Sequence, residues 1–194
     1  MVFATLFFCC LVLRFQSPTW PPPVMAPLPA QALAAAWANT GLMLAGSLAL
    51  WRLVRAIDRR SASASRSPIL LGFVMLSGAA FLGLQIETWT DLWRSGVRIQ
   101  DGAYEGLFYA ITTFHGVHVF VGLFLLIWAV PSAAALARAA GEQSQTFEEA
   151  QLSEEAQLSQ EVLSRHRIRL RSAAMFWHFV DIAWLGTFAV VYLF

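Results

Sequence analysis

The sequence predicts an all-α integral membrane protein, a polytopic helical bundle of about five transmembrane helices with the first cut short. Three observations predict it. The 194 residues are 58% hydrophobic and only 13% charged, against about 25% charged in soluble domains. Four apolar runs approach or exceed the roughly 20 residues that a helix needs to cross a hydrocarbon core of about 30 Å. The basic residues are all arginine, and they gather in alternate connections between those runs. A soluble enzyme, an ordinary secreted domain and a disordered chain are all excluded by that apolar content. The net charge of +1 gives no reason to expect nucleic acid. The only cysteines, Cys9 and Cys10, are adjacent in an apolar stretch, so they form neither a disulfide framework nor a metal motif.

In chain order, the apolar stretch 1–13 is too short to cross and has no basic leader, which makes it a poor signal peptide. It reads as the second half of a spanning helix whose true start lies upstream of Met1. Arg14 ends it. Pro21, Pro22 and Pro23, with Pro27 and Pro29, cannot be helix interior and predict a stiff connector. The first full span is 30–51. A flexible turn over 61–67 leads to a second span, 69–86, which is barely long enough. The third span is 106–130 and the fourth 173–194. The segment 141–161 carries Glu142, Glu148, Glu149, Glu154, Glu155 and Glu161. It predicts a solvated loop or short surface helix within a polar cytoplasmic loop over 131–172, the rest of 1–194 forming a single membrane domain.

Arginine placement sets the orientation. Arg52, Arg55, Arg59, Arg60 and Arg66 follow the first full span. Arg138, Arg165, Arg167, Arg169 and Arg171 follow the third. Only Arg14, Arg94 and Arg98 lie on the opposite side. The basic loops are therefore expected in the cytoplasm, with the proline segment, the 91–101 loop and the C-terminus outside. Trp20, Trp51, Trp89 and Trp93 fall near predicted interfaces, where amphipathic rings are favoured. Small residues, Gly41, Gly46 and Ser47, then Gly72, Gly78 and Gly83, then Gly116 and Gly122, permit close helix packing.

Ionisable side chains at membrane depth are costly and usually face protein. Rise arithmetic puts His115 about 13 Å and His118 about 18 Å from the outer end of their span, and Asp181 about 13 Å and His178 about 8 Å from the inner end of theirs. His118 and Asp181 are thus expected at similar depth, as a hydrogen-bonded pair that His115 or His178 could also complete. Three uses compete: an internal network that locks helices together, a proton or ion relay, and haem or metal ligation. The first is favoured. A crowded i,i+3 histidine pair opposite a single histidine is a poor two-haem arrangement, and no Cys–His pattern points to zinc or copper. Glu87, at the outer end of its span, reads either as an interfacial cap or as a member of the same network. No nucleotide loop or hydrolase-like nucleophile–base spacing occurs, so neither a catalytic residue nor a cofactor is expected.

Two motifs then resemble subunit III of the haem–copper respiratory oxidases, the cytochrome c and quinol oxidase subunit III family. They are Thr113-Phe114-His115-Gly116-Val117-His118-Val119 with Gly122, and Phe176-Trp177-His178-Phe179-Val180-Asp181 with Trp184 and Tyr192. Ser17, Pro18, Thr19 and Trp20 before the prolines, Pro29, Asn39-Thr40, Gln85 with Glu87, and Asp101-Gly102 with Tyr104 support them in the family's order. The resemblance implies a non-catalytic subunit of a bacterial inner-membrane terminal oxidase. Such a subunit binds no haem or copper of its own. It packs beside oxidase subunit I and, with subunit II nearby, holds phospholipid and supports proton uptake in aerobic electron transport. It also implies a glutamate just before the stretch matched by 2–13, which would fall ahead of Met1. Glu105 and Thr113 stand where the family usually has glycine. An accessory protein of a nitric oxide reductase shares this helix plan. A stand-alone transporter and a haem-binding cytochrome are the alternatives of a different class.

Overall fold

In a computed structural model, residues 2–16, 30–59, 67–142 and 154–193 are described. Among them the chain forms five α-helices: α1 Val2–Gln16, α2 Ala30–Asp58, α3 Ser67–Arg94, α4 Ala103–Glu142 and α5 Glu154–Phe188, with a π-helical turn over Ala189–Leu193. The all-α expectation is met. Four helices are long and apolar enough to cross a membrane. At 15 residues, α1 is shorter than the rest. The proline connector, the turn over 60–66 and most of the acidic stretch lie outside the described residues.

Every full span runs longer than its apolar run. The second was expected over 69–86, but α3 continues to Arg94. Its polar last turns remain helical, and within them Thr88 and Thr90 turn their hydroxyls back to the carbonyls of Leu84 and Ile86. The helix stops at Gly96, whose φ of 88° suits glycine. Gly96 N–H donates to Trp93 O and Val97 N–H to Leu92 O. This is the paired bonding of a Schellman cap, with Leu92 and Val97 supplying its apolar contact.

The segment 131–172, expected as a loop, is helical at both ends. Helix α4 carries Pro131 in its interior. Proline there removes one bond to the preceding turn, but the following Ala-rich sequence propagates helix well. The polar start of α5 is helical too, with Arg165 paired to Glu161 at 2.7 Å.

The chain divides into two compact units. The first comprises 1–44, 78–120 and 179–194. Its core joins Cys10, Leu92, Val97, Tyr104, Phe108, Tyr109, Ile111 and Val191. Helix α1 enters it through Phe7, which lies against Gly186, where an added Cβ would come within 2.8 Å of the ring. Tyr109 donates its hydroxyl to Val97 O at 3.1 Å and Tyr104 to Val191 O at 3.2 Å. The second bond serves a carbonyl of the π-turn.

The second unit comprises 45–77 and 121–178. Leu50, Leu53, Val74, Leu126, Ala129, Leu170 and Trp177 are buried in it. Gly122 admits the Trp177 ring, whose Cε3 would lie 3.2 Å from an added Cβ. Polar ties join its helices: Ser47 to His178 at 2.5 Å, Ser132 to His166 at 3.0 Å, and Arg171 to Asp58 at 3.0 Å. Arg55 lies over Trp51 at 4.8 Å and Arg169 over Trp128 at 4.3 Å.

Candidate functional site

The five residues singled out in the sequence do not share one environment. His115 is wholly buried in the first unit, at 0% exposure. Rings enclose it: Trp184 at 5.1 Å, Phe81 at 5.2 Å and Phe3 at 6.4 Å between centroids. Neither ring nitrogen has a hydrogen-bond partner among the described residues. His118, three residues on, is half-buried. Its Nδ1–H donates to the Phe114 carbonyl of its own helix at 2.7 Å, and Phe3 lies 5.1 Å from its ring. The two histidines thus share the aromatic cover of Phe3.

Asp181 is also buried in the first unit, at 5% exposure. His178 precedes it by three residues on α5 but belongs to the second unit, where Ser47 holds its Nδ1. Glu87 is exposed on α3. The sequence left a buried and an interfacial place open for it, and helical phase turns it away from the buried face. Phe81, Gln85, Thr88 and Leu92 are the buried face of α3. Glu87 is about 200° of helical rotation from Gln85 and about 100° from Thr88.

Other polar residues carry more of the buried structure than these five. Trp184 donates its indole N–H to Thr40 Oγ1 at 3.0 Å, and Thr40 donates to Ala36 O at 2.8 Å. Trp89 donates to Thr112 Oγ1 at 3.0 Å. Gln85 is 2% exposed. Asn39 and Glu105 are buried as well. Glu105 occupies the third position of α4 and folds back over Gly102, where a side chain would collide with its carboxylate. The signal for it was a glycine followed three residues later by glutamate at a helix start, a capping-box spacing with glycine at the cap. Among the described residues no group of three or more His, Cys, Asp or Glu is placed to hold a metal ion.

Comparison with known proteins gives this arrangement its relatives. The family model described as cytochrome c oxidase subunit III matches residues 1–150. Cytochrome c oxidase subunit 3 of Latimeria chalumnae is 29% identical over 174 residues, covering 89% of this chain and 54% of the relative. The chain spans about half the length of the curated animal relatives it matches. Cytochrome c oxidase subunit 3 of Thermostichus vulcanus is 24% identical over 193 residues, 100% of this chain and 80% of that protein. Cytochrome bo(3) ubiquinol oxidase subunit 3 of Pseudomonas aeruginosa is 30% identical over 123 residues, 63% of this chain and 47% of the relative. With the family model covering well over half its residues, the chain belongs to the cytochrome c oxidase subunit III family.

Proposed function

We propose that the chain serves as the non-catalytic subunit III of a bacterial haem–copper terminal oxidase. In this reading it is a multi-pass protein of the inner membrane that packs beside subunit I, with subunit II in the same complex. It holds phospholipid, steadies the catalytic subunit and supports its proton uptake during aerobic electron transport. The observation that carries the non-catalytic part is how the buried polar groups are used. His178 is tied to Ser47, His118 to its own helix, and His115 is closed in by rings. These are ways of fixing helices, not of presenting a group to a substrate. Asp181 belongs to the same locking set, and its conversion to Asn weakens retention of the subunit in the complex.

Large apolar side chains on the outside, including Ile69, Leu76, Phe120, Phe124, Met175 and Ile182, support a surface made for lipid and partner helices. Arginines spread over Trp51 and Trp128 support a membrane–water boundary at the basic ends. The basic connections then face the cytoplasm and the C-terminus the outside. The test is to purify the oxidase from cells lacking this chain and from cells containing it. Initial oxygen reduction is expected to be alike in both, with activity decaying faster over successive turnovers when the chain is missing. Immediate loss of oxygen reduction would overturn the non-catalytic reading.

A further inference from the structure

Donors and acceptors in the first unit do not balance around one pair of facing helices. Helix α3 presents Phe81, Gln85 and Trp89 on one side, at i, i+4 and i+8. Phe81 meets the His115 ring at 5.2 Å, and Trp89 donates to Thr112, one turn before His115. Gln85 lies between them and so faces the stretch of α4 from Thr112 to His115. It is 2% exposed and His115 is 0% exposed.

The neighbouring polar groups are already committed. The Thr112 hydroxyl donates to Phe108 O and receives the Trp89 N–H. The Trp184 indole N–H goes to Thr40. Gln85 Nε2 and both ring nitrogens of His115 have no hydrogen-bond partner among the described residues. Phe3, Phe81 and Trp184, which line the histidine, offer it no acceptor.

We propose that Gln85 and His115 together bind at least one internal water molecule. The chemistry selects water over other small ligands. A neutral imidazole needs a donor at one nitrogen and an acceptor at the other, and water can serve either. Gln85 Nε2 donates to the water oxygen, and the water donates to the unprotonated nitrogen of His115. Buried polar groups left over by protein pairing are where internal waters are found, each usually making about three bonds. The site does not depend on the oxidase reading, because it rests only on groups within the first unit.

The test is a map of the full chain in its native complex, at a resolution that shows ordered water. Density is expected within hydrogen-bond distance of both Gln85 Nε2 and a ring nitrogen of His115. Direct contact between the two side chains, or no density between them, would overturn the proposal. Variants add a second readout, the half-life of the complex at raised temperature. With a water bridge, Gln85→Leu and His115→Phe each shorten it by about 3- to 10-fold, and the double variant loses less than the product of the two. Were the pocket dry, each apolar replacement would remove an unsatisfied group, leaving the half-life equal or longer with independent effects. That outcome would also overturn the proposal.

Discussion

Thr40→Val isolates one hydrogen bond at the centre of the first unit. Valine keeps the shape of threonine, so no cavity opens, but Trp184 loses the acceptor now 3.0 Å from its indole nitrogen. Trp184 is 1% exposed, so its N–H has no solvent to turn to. An unsatisfied buried donor costs about 1–3 kcal/mol in soluble proteins. Hydrogen bonds between membrane helices average about 0.6 kcal/mol and reach about 1.7. The bond from Thr40 to Ala36 O is local to its helix, and its loss adds little. A net loss of about 1–2 kcal/mol follows, a factor of roughly 5–30 in the folded ratio. The same tryptophan packs on Phe81 at 4.7 Å and His115 at 5.1 Å, so the effect includes loosening around the buried histidine. The assay is a double-mutant cycle on thermal unfolding in detergent, with Thr40→Val, Trp184→Phe and both. The double variant is expected to be less destabilised than the sum by about 1 kcal/mol. Strict additivity, or a neutral Thr40→Val, would refute the coupling.

Three further outcomes are expected. Ser47→Ala removes the partner of half-buried His178 and should cost about 0.6–1.7 kcal/mol in the same unfolding assay, while Ser47→Thr, which keeps the hydroxyl, should cost less. Gly96→Ala forces a Cβ into a left-handed position and should cost about 1–2 kcal/mol, seen as a lowered unfolding temperature. Gly186→Val pushes α1 away from its seat, because even a Cβ would approach the Phe7 ring to 2.8 Å. With a membrane-permeant thiol reagent the parent chain should label at exposed Cys9 only, and the variant at buried Cys10 as well. Unchanged labelling of Cys10 would show that α1 does not depend on that glycine.

The apolar runs made four of the spans legible, because transfer of a long unbroken apolar stretch dominates every local preference. Their ends were less legible. The run-based end of the second span at 86 falls short of the true stop, a glycine cap at Ser95-Gly96, because a helix does not end where its apolar run does. The third span was expected to end at 130, yet α4 runs on through Pro131, because one missing bond does not halt a helix followed by strong helix formers. At the site, rise fixes position along a helix, but rotation about the helix decides the partner. His115 and His118 are three residues apart, and one is sealed by rings while the other bonds its own backbone. Glu87 could have been placed outward from the phase of Phe81, Gln85 and Leu92. The serine that holds His178 is 131 residues away in sequence, and no local pattern announces such a pairing.

Isolation of the chain from its own membranes tests most directly whether it is a resident oxidase subunit. A tag on the full chain, mild detergent extraction and a reduced-minus-oxidised absorption spectrum suffice. The expected result is one complex containing this chain, a larger haem-bearing subunit and oxygen-reducing activity, with the haem signal staying with the larger subunit when the chain is stripped away. Recovery of the chain alone, stable and carrying its own haem absorption, would contradict it.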